Sequence, residues 1–292
     1  MVTATSMELI QILPTTLLTA HATRAEEFRT LSRELHLGLG WHYLLDLIWA
    51  AEQIEGTTVL DAGAGTGLMQ WWLAERGVTV ISIDREPRHV SRRLRARYNV
   101  EGLHAKDHVP IRRAALSTLR RFPAPRSVAS ACRDLALGEP RSDAIGTVRL
   151  HQADLDDLKE IESNSVDTVV SISSLEHNPP GRLPVIVAEL MRVIRPGGKL
   201  IATLGAAKDG DWFHKASQGW CYTEATLRDA FGLSDDCASN YDQYDELFQD
   251  LKECAPLRDQ LADFYRHSGN NGMPWGVWDP QYQTVGVTKV QE

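Results

Sequence analysis

The sequence has few cysteines, and their arrangement argues against both disulfide bonds and a structural zinc site. Four cysteines occur among 292 residues, with no C-x-x-C pair and no paired His/Cys spacing. A disulfide framework and a structural zinc site of the usual spacing are therefore not expected, and we predict no metal site.

Long apolar runs and a basic N-terminal start are also missing. No stretch approaches the roughly 18 apolar residues that a membrane-spanning helix needs. Glu8 and Pro14 interrupt the apolar residues near the N-terminus, which fits a signal peptide poorly. We therefore expect a cytoplasmic protein without a membrane span.

Basic residues are scarce except in one segment. The net charge is −8, yet residues 85–149 hold 15 of the 31 Lys and Arg and only 6 of the 39 Asp and Glu. Three interpretations remain open: a solvated helical lid, a face for a phosphate-bearing acceptor, or an RNA-binding face. Few aromatic residues accompany the arginines, which weakens the RNA interpretation because aromatic side chains stack on bases.

Strand and helix patterns alternate along most of the chain. Strands are predicted at 57–61, 78–84, 147–153, 166–171, 199–204 and 282–290. Helices are predicted at 25–35, 41–54, 68–76, 155–161 and 184–194. This alternation predicts an α/β fold with a mostly parallel sheet and helices on both faces. We expect an N-terminal helical extension over 1–40, a main domain over 41–292, and a helical basic insertion at about 88–146, between the second and third strands.

A glycine-rich turn follows the first of these strands. Residues 59–67 read VLDAGAGTG, so that Asp61 precedes Gly63, Gly65 and Gly67 in a D-x-G-x-G-x-G pattern. The third glycine of a dinucleotide-binding G-x-G-x-x-G turn would stand at Leu68, so that cofactor is disfavoured. An acid before the turn suits a ligand with an ammonium group better than a pyrophosphate.

Two further carboxylates are predicted at strand ends. Asp84 ends the second strand and Asp154 follows the third. Parallel strands place their carboxyl ends at one edge of the sheet, where ligands bind. Asp84 is suited to accept both hydroxyls of a ribose, although each aspartate could instead cap a following helix.

The motifs DAGAGTG, SIDRE, HQADLDDL, VDTVVSISSLEHNPP and LMRVIRPGGKLIAT, in this order, resemble those of class I S-adenosylmethionine (SAM)-dependent methyltransferases. The resemblance implies a Rossmann-like fold with SAM as cofactor. It places Gly63 and Gly65 against the methionine part, Asp61 near the ammonium and Asp84 at the ribose. It also places Asp154 at the adenine amino group with Leu155 beside the ring, Ser173 near the sulfonium, and Trp41 and His42 over the carboxylate of SAM. Ala64 and Arg85 are further cofactor-binding residues that we predict.

The loop after the fourth strand supplies a candidate general base. His177 follows that strand closely, where the resemblance places the transferred methyl group. We expect methyl transfer to an oxygen or nitrogen atom of a small-molecule acceptor, such as a sugar or a phosphorylated metabolite. An RNA methyltransferase and a non-catalytic SAM-binding protein are the alternatives.

Overall fold

The protein is described by a computed structural model that covers residues 8–88, 90–107, 109–121, 125–137, 146–259 and 278–292. Within these residues an eleven-stranded sheet is flanked by helices. The strands are β1 (Leu9–Ile12), β2 (Thr58–Ala62), β3 (Thr79–Asp84), β4 (Asn99–Gly102), β5 (Thr147–Gln152), β6 (Val166–Ile172), β7 (Ile194–Ala206), β8 (Trp212–His214), β9 (Gly219–Tyr222), β10 (Ala238–Ser239) and β11 (Gln283–Val290). The helices are α1 (Leu17–Ala20), α2 (Ala22–Leu35), α3 (Trp41–Ala51), α4 (Met69–Ala74), α5 (Arg92–Arg97), α6 (Ile111–Arg121), α7 (Pro125–Leu137), α8 (Leu183–Val193), α9 (Glu224–Phe231) and α10 (Tyr244–Glu253).

The sheet is parallel through its centre and antiparallel near one end. The main strand order is β10-β1-β11-β7-β6-β2-β3-β5-β4, with β8 and β9 attached beside β7. The strands from β7 through β4 pair in parallel, whereas β11 runs antiparallel to both β7 and β1. Because the chain continues from β2 to β3 on one side and returns to β6 on the other, a crevice is expected where β2 and β6 end.

Alternate residues of the central strands face opposite layers of helices. Val59 and Val80 belong to a core with α2, α3 and α4, whereas their neighbours Leu60 and Ile81 belong to a core with α8 and α9. Both faces of the sheet are therefore buried, as parallel sheets require. The predicted α/β fold with a mostly parallel sheet and helices on both faces is confirmed.

One predicted helix is wrong. Residues 155–161 form turns, although Leu158 and Ile161 are buried with a spacing that imitates a helix face. Side chains of α8 bind the backbone that a helix would have used for its own hydrogen bonds. Glu189 accepts from the Leu158 N–H at 2.8 Å, and Arg192 donates to the carbonyl groups of Leu158 and Ile161. This arrangement rules out the alternative in which Asp154 caps a helix over 155–161.

Five strands lie where none was predicted, namely β1, β4, β8, β9 and β10, and two of them belong to segments expected to be helical. β1 joins the sheet within the segment expected to be a helical extension, with Ile10 opposite Val287 of β11. The basic segment contains β4 as well as helices α5, α6 and α7, and β4 pairs with β5 through Val100 and Val148. Parts of this segment (residues 89, 108, 122–124 and 138–145) and residues 1–7 lie outside the described residues. The domain boundary at residue 40 and the function of the basic segment as a lid stay predictions.

A separate property of the helices concerns membranes. Within the part of the chain that the structure describes, no helix is both long and apolar enough to cross a bilayer.

Candidate active site

A cavity of about 390 Å³ opens where β2 and β6 end. Its wall includes ten of the residues predicted from sequence, which come from four separate segments of the chain. They are Asp61, Gly63, Ala64, Gly65, Asp84, Arg85, Asp154, Leu155, Ser173 and His177. The structure therefore brings these residues together at the carboxyl edge of the sheet.

The turn after β2 depends on glycine at two positions. Gly63 and Gly65 have φ angles of +72° and +48°, which side chains disfavour. A Cβ atom on Gly63 would lie 2.1 Å from the Ser174 hydroxyl oxygen, so space as well as conformation requires glycine. The Ser174 hydroxyl donates to the Ala62 carbonyl oxygen at 2.9 Å, which holds the loop after β6 against this turn. Because Gly63 and Gly65 have no side chains, the backbone of this turn faces the cavity directly.

Asp84 lies at the end of β3 and is bound to the same turn. Its Oδ2 atom accepts a hydrogen bond from the Gly65 N–H at 2.8 Å, and its Oδ1 atom accepts one from the Glu86 N–H at 2.9 Å. Both bonds come from the backbone and each carboxylate oxygen can accept a second bond. Asp84 can therefore still accept hydrogen bonds from a ligand.

Asp61 is the most deeply buried acid of the cavity, with 2% of its surface exposed. Burial raises the pKa of its carboxyl to about 7; the guanidinium of Arg88 opposes this shift and the charge of Asp84 adds to it. Near neutral pH the side chain is thus divided between carboxylic acid and carboxylate. A cation bound beside it would favour the carboxylate.

Asp154 and Leu155 follow β5 on another wall. Asp154 is exposed, whereas Leu155 is half-buried and packs against the core beneath α8. Leu155 also lies near Gly63, because its Cδ1 atom is 3.9 Å from the position that a Cβ atom on that glycine would take. This wall combines an acceptor for hydrogen bonds with an apolar surface.

Ser173 is held by a buried network from α3. Its hydroxyl donates to the Asp46 Oδ2 atom at 2.8 Å, and the His42 Nδ1 atom lies 3.0 Å from the same carboxylate oxygen. Ser173 has a φ of +47°, a conformation that a non-glycine residue keeps only when its surroundings enforce it. The network therefore fixes the end of β6 against α3.

Trp41 and His42 do not line the cavity. Trp41 is fully buried, with its ring centroid 5.5 Å from that of Tyr282, and His42 lies behind the cavity residues Ser173 and Tyr43. Another face of the same helix contributes instead, through Tyr43 and Leu47. These two residues are four apart and share one face of α3, but α3 is apolar on most faces, so its sequence pattern does not distinguish the face that meets the cavity.

His177 lies on the cavity wall after β6 and is exposed to solvent. Its Nδ1 atom is 2.9 Å from the Gln218 carbonyl oxygen, to which it can only donate a hydrogen bond. In a neutral imidazole this bond leaves Nε2 without a proton. His177 therefore has a nitrogen that can accept a proton.

One segment of the chain matches a known protein family. A family model described as a methyltransferase domain matches residues 124–202. This match agrees with the resemblance of the sequence motifs to class I SAM-dependent methyltransferases. The methyltransferase is an enzyme with SAM as its cofactor. No curated protein matches the chain.

Solved methyltransferase structures are similar to the chain at low identity. The 1,6-didemethyltoxoflavin-N1-methyltransferase of Burkholderia thailandensis is 16% identical over 73% of this chain and 76% of its own, with a TM-score of 0.41. The geranyl diphosphate C-methyltransferase of Streptomyces coelicolor is 14% identical over 96% and 84%, also with a TM-score of 0.41.

The cavity of the methyltransferase suits SAM in its chemistry. Gly63 and Gly65 line the cavity without side chains, so a ligand can approach their backbone closely, and carboxylates suit an ammonium and a pair of hydroxyls. Leu155 offers an apolar surface to a purine ring.

Proposed function

We propose that the methyltransferase transfers the methyl group of SAM to an oxygen or nitrogen atom of a small molecule, with His177 as the general base. The observation that carries this proposal is the position of His177. It lines the same cavity as Ser173 and the glycine turn, and its Nε2 atom is left to accept a proton. SAM supplies an activated methyl group when bound, so the protein has to hold and align the reactants.

Different parts of SAM are proposed to bind different residues of the cavity. Gly63, Ala64 and Gly65 approach the methionine part, with Asp61 facing its ammonium group. Asp84 accepts the ribose hydroxyls, and Arg85 stands next to it. Asp154 accepts the adenine amino group, and the Leu155 side chain packs on the ring. Support comes from the shared cavity and from the two oxygens of Asp84 that retain accepting capacity.

The proposed acceptor lies between α3 and the loop after β6. Tyr43, Leu47 and Ile172 give this part of the cavity an apolar and aromatic wall, and Ser173 and His177 stand beside it. Apolar walls with a few placed polar groups are typical of small-molecule sites. Burial keeps the pKa of the Tyr43 hydroxyl above its ordinary value. The hydroxyl therefore keeps its proton and can donate a hydrogen bond to the bound methyl acceptor.

Two arginines of the basic segment are bound within the protein by other residues, which disfavours an RNA acceptor. Arg95 is buried and donates to the carbonyl groups of Val90 and Val109. Arg97 pairs with Glu34 and Glu75 at 2.7 and 2.5 Å. Burial withdraws Arg95 from the surface and the two glutamates compensate the charge of Arg97, so both add little to a surface that would attract phosphates.

Isotope-labelled SAM incubated with separated metabolite and RNA fractions tests the acceptor class. We expect the label in small molecules, with incorporation suppressed in a His177→Ala variant that still binds SAM. Label in RNA would reject the small-molecule acceptor, above all if it disappeared when Arg92, Arg93, Arg112 and Arg113 were neutralised. Full incorporation into small molecules by His177→Ala would reject the base.

A further inference from the structure

A second group of side chains with metal-binding chemistry lies apart from the SAM cavity. His104 follows β4, His151 is in β5 and Glu160 precedes β6. One ligand atom from each lies within 4.8 Å of the other two. None of the three lines the cavity at the glycine turn. They come from the loop after β4, from β5 and from the turns before β6, and one of the three ligands is a glutamate, so Cys/His spacing does not predict the cluster.

The cluster has the separations that one ion would require. The His104 Nε2 and His151 Nε2 atoms lie 3.1 and 3.8 Å from the Glu160 Oε2 atom. Donors about 2.0–2.2 Å from a tetrahedral zinc ion lie roughly 3.4 Å from one another, as the tetrahedral angle dictates. Little movement is therefore needed to place an ion among them.

His151 is oriented by a partner behind it. It is 3% exposed, and its Nδ1 atom lies 2.9 Å from the Asp107 carboxylate. Asp107 in turn accepts from the His104 and Gln152 N–H groups at 3.2 and 3.1 Å. Because Nδ1 donates to Asp107, the Nε2 lone pair of His151 is directed away from Asp107, toward Glu160. A carboxylate behind a histidine is the usual support of a metal ligand.

Glu160 forms an ion pair with a lysine of the same protein. The Lys106 ammonium group lies 2.6 Å from its Oε1 atom, on an exposed and flexible side chain. His104 and Glu160 are also partly exposed, so solvent reaches the cluster. A metal ion would replace Lys106 as the charge partner of the carboxylate.

We propose that His104, His151 and Glu160 bind one divalent transition-metal ion of the zinc class, with Asp107 positioning His151. Two imidazoles and one carboxylate match the ligands that zinc accepts, and a fourth position remains for water. The ion would connect the basic segment to β5 and to the turns before β6. This proposal does not rest on the methyltransferase activity, because it concerns different side chains.

Titration calorimetry of Zn²⁺ into tag-free, chelator-treated full-length protein tests the proposal. We expect one site per chain, with affinity reduced at least tenfold in His104→Gln and in Glu160→Gln. Asp107→Asn should weaken binding by about 10–100-fold, the range for loss of such a supporting carboxylate. Lys106→Gln should strengthen binding, because it removes the competing cation.

His21→Gln is the matched control, because His21 also pairs with a glutamate, Glu52, at 3.5 Å outside the cluster. It should leave Zn²⁺ affinity unchanged, as should Cys132→Ser, which removes an exposed thiol. Co²⁺ loading with visible absorption reports the coordination directly, and His104→Gln and Glu160→Gln should lose the signal while the two control variants keep it. Absence of binding at millimolar Zn²⁺, or equal affinity in wild type, His104→Gln and Glu160→Gln, would overturn the proposal.

Discussion

Asp84 and Gly65 are joined by a hydrogen bond of 2.8 Å from the Gly65 N–H to the Asp84 Oδ2 atom. The bond connects the end of β3 to the glycine turn after β2. It means that one carboxylate both shapes the turn and faces the cavity that the turn lines. Loss of Asp84 should therefore affect the ligand and the loop together.

Replacing Asp84 by alanine is the first prediction. We expect Asp84→Ala to lower SAM affinity by roughly 1.5–4 kcal/mol, because one or two hydrogen bonds to a charged group are lost. Asp84→Asn should lose less, since its amide oxygen can still accept from Gly65. Calorimetry with S-adenosylhomocysteine measures the effect. Asp235→Ala, at an exposed acid after α9, is the control. Unchanged affinity in folded Asp84→Ala would reject the contact.

The pKa of Asp61 leads to a pH dependence. Burial raises that pKa to about 7, so the carboxylate that would face the SAM ammonium forms only as the pH rises through 7. We expect SAM affinity to increase between pH 6 and 8 in wild type. Asp61→Asn cannot ionise, so this increase should disappear in that variant, while any titration of the ligand itself would remain.

Stability gives a second readout for the same carboxyl. Its pKa is higher in the folded chain than in the unfolded one, so the folded state holds the extra proton between about pH 4 and 7. The contribution of Asp61 to the free energy of unfolding is then present at low pH and lost as the pH rises through 7. Relative to wild type, Asp61→Asn should gain stability as the pH rises. An identical pH profile for both proteins would contradict the shift.

Removal of His177 separates catalysis from cofactor binding. His177→Ala should reduce the turnover rate by about 10²–10⁴-fold, the usual contribution of a general base. SAM affinity should stay within twofold of wild type, because the side chain is exposed and bonds only to a backbone carbonyl. His21→Ala serves as the control. A variant that binds SAM and turns over at the wild-type rate would exclude the base.

Glycine at position 63 is needed for two reasons that substitutions can distinguish. At Gly77 the φ is +75° and no atom lies within 4 Å of an added Cβ atom. Gly77→Ala should therefore lower the free energy of unfolding only through backbone strain, by about 1–2 kcal/mol. Gly63→Ala meets a φ of +72° and also Ser174, so a further 1–3 kcal/mol from overpacking is expected. Chemical denaturation measures both. SAM binding should fall only for Gly63→Ala, and equal behaviour of the two variants would contradict this account.

Much of the sheet and part of the cavity could be predicted because their signals are local. β2 and β3 are short apolar runs followed by glycine or aspartate, and ten predicted residues line one cavity. β1 could not be predicted in this way. It has four residues, and its pairing partner β11 lies at the other end of the chain.

Contacts between distant residues account for the other differences. The apolar spacing of residues 155–161 predicts a helix, but Glu189 and Arg192 of α8 bind the backbone there. Trp41 and His42 start a helix whose adjacent face, through Tyr43, reaches the cavity. Which face of α3 points to the cavity depends on packing against Tyr282, which no local pattern reports.

A crystal structure of the protein with S-adenosylhomocysteine tests the proposed cofactor site most directly. The ribose hydroxyls should lie within hydrogen-bond distance of the Asp84 carboxylate. The adenine amino group should lie within hydrogen-bond distance of Asp154, with the ring packed on the Leu155 side chain. The amino-acid end should lie at the glycine turn, beside Asp61. A ligand bound elsewhere, with Asp84 and Asp154 facing bulk water, would contradict the account.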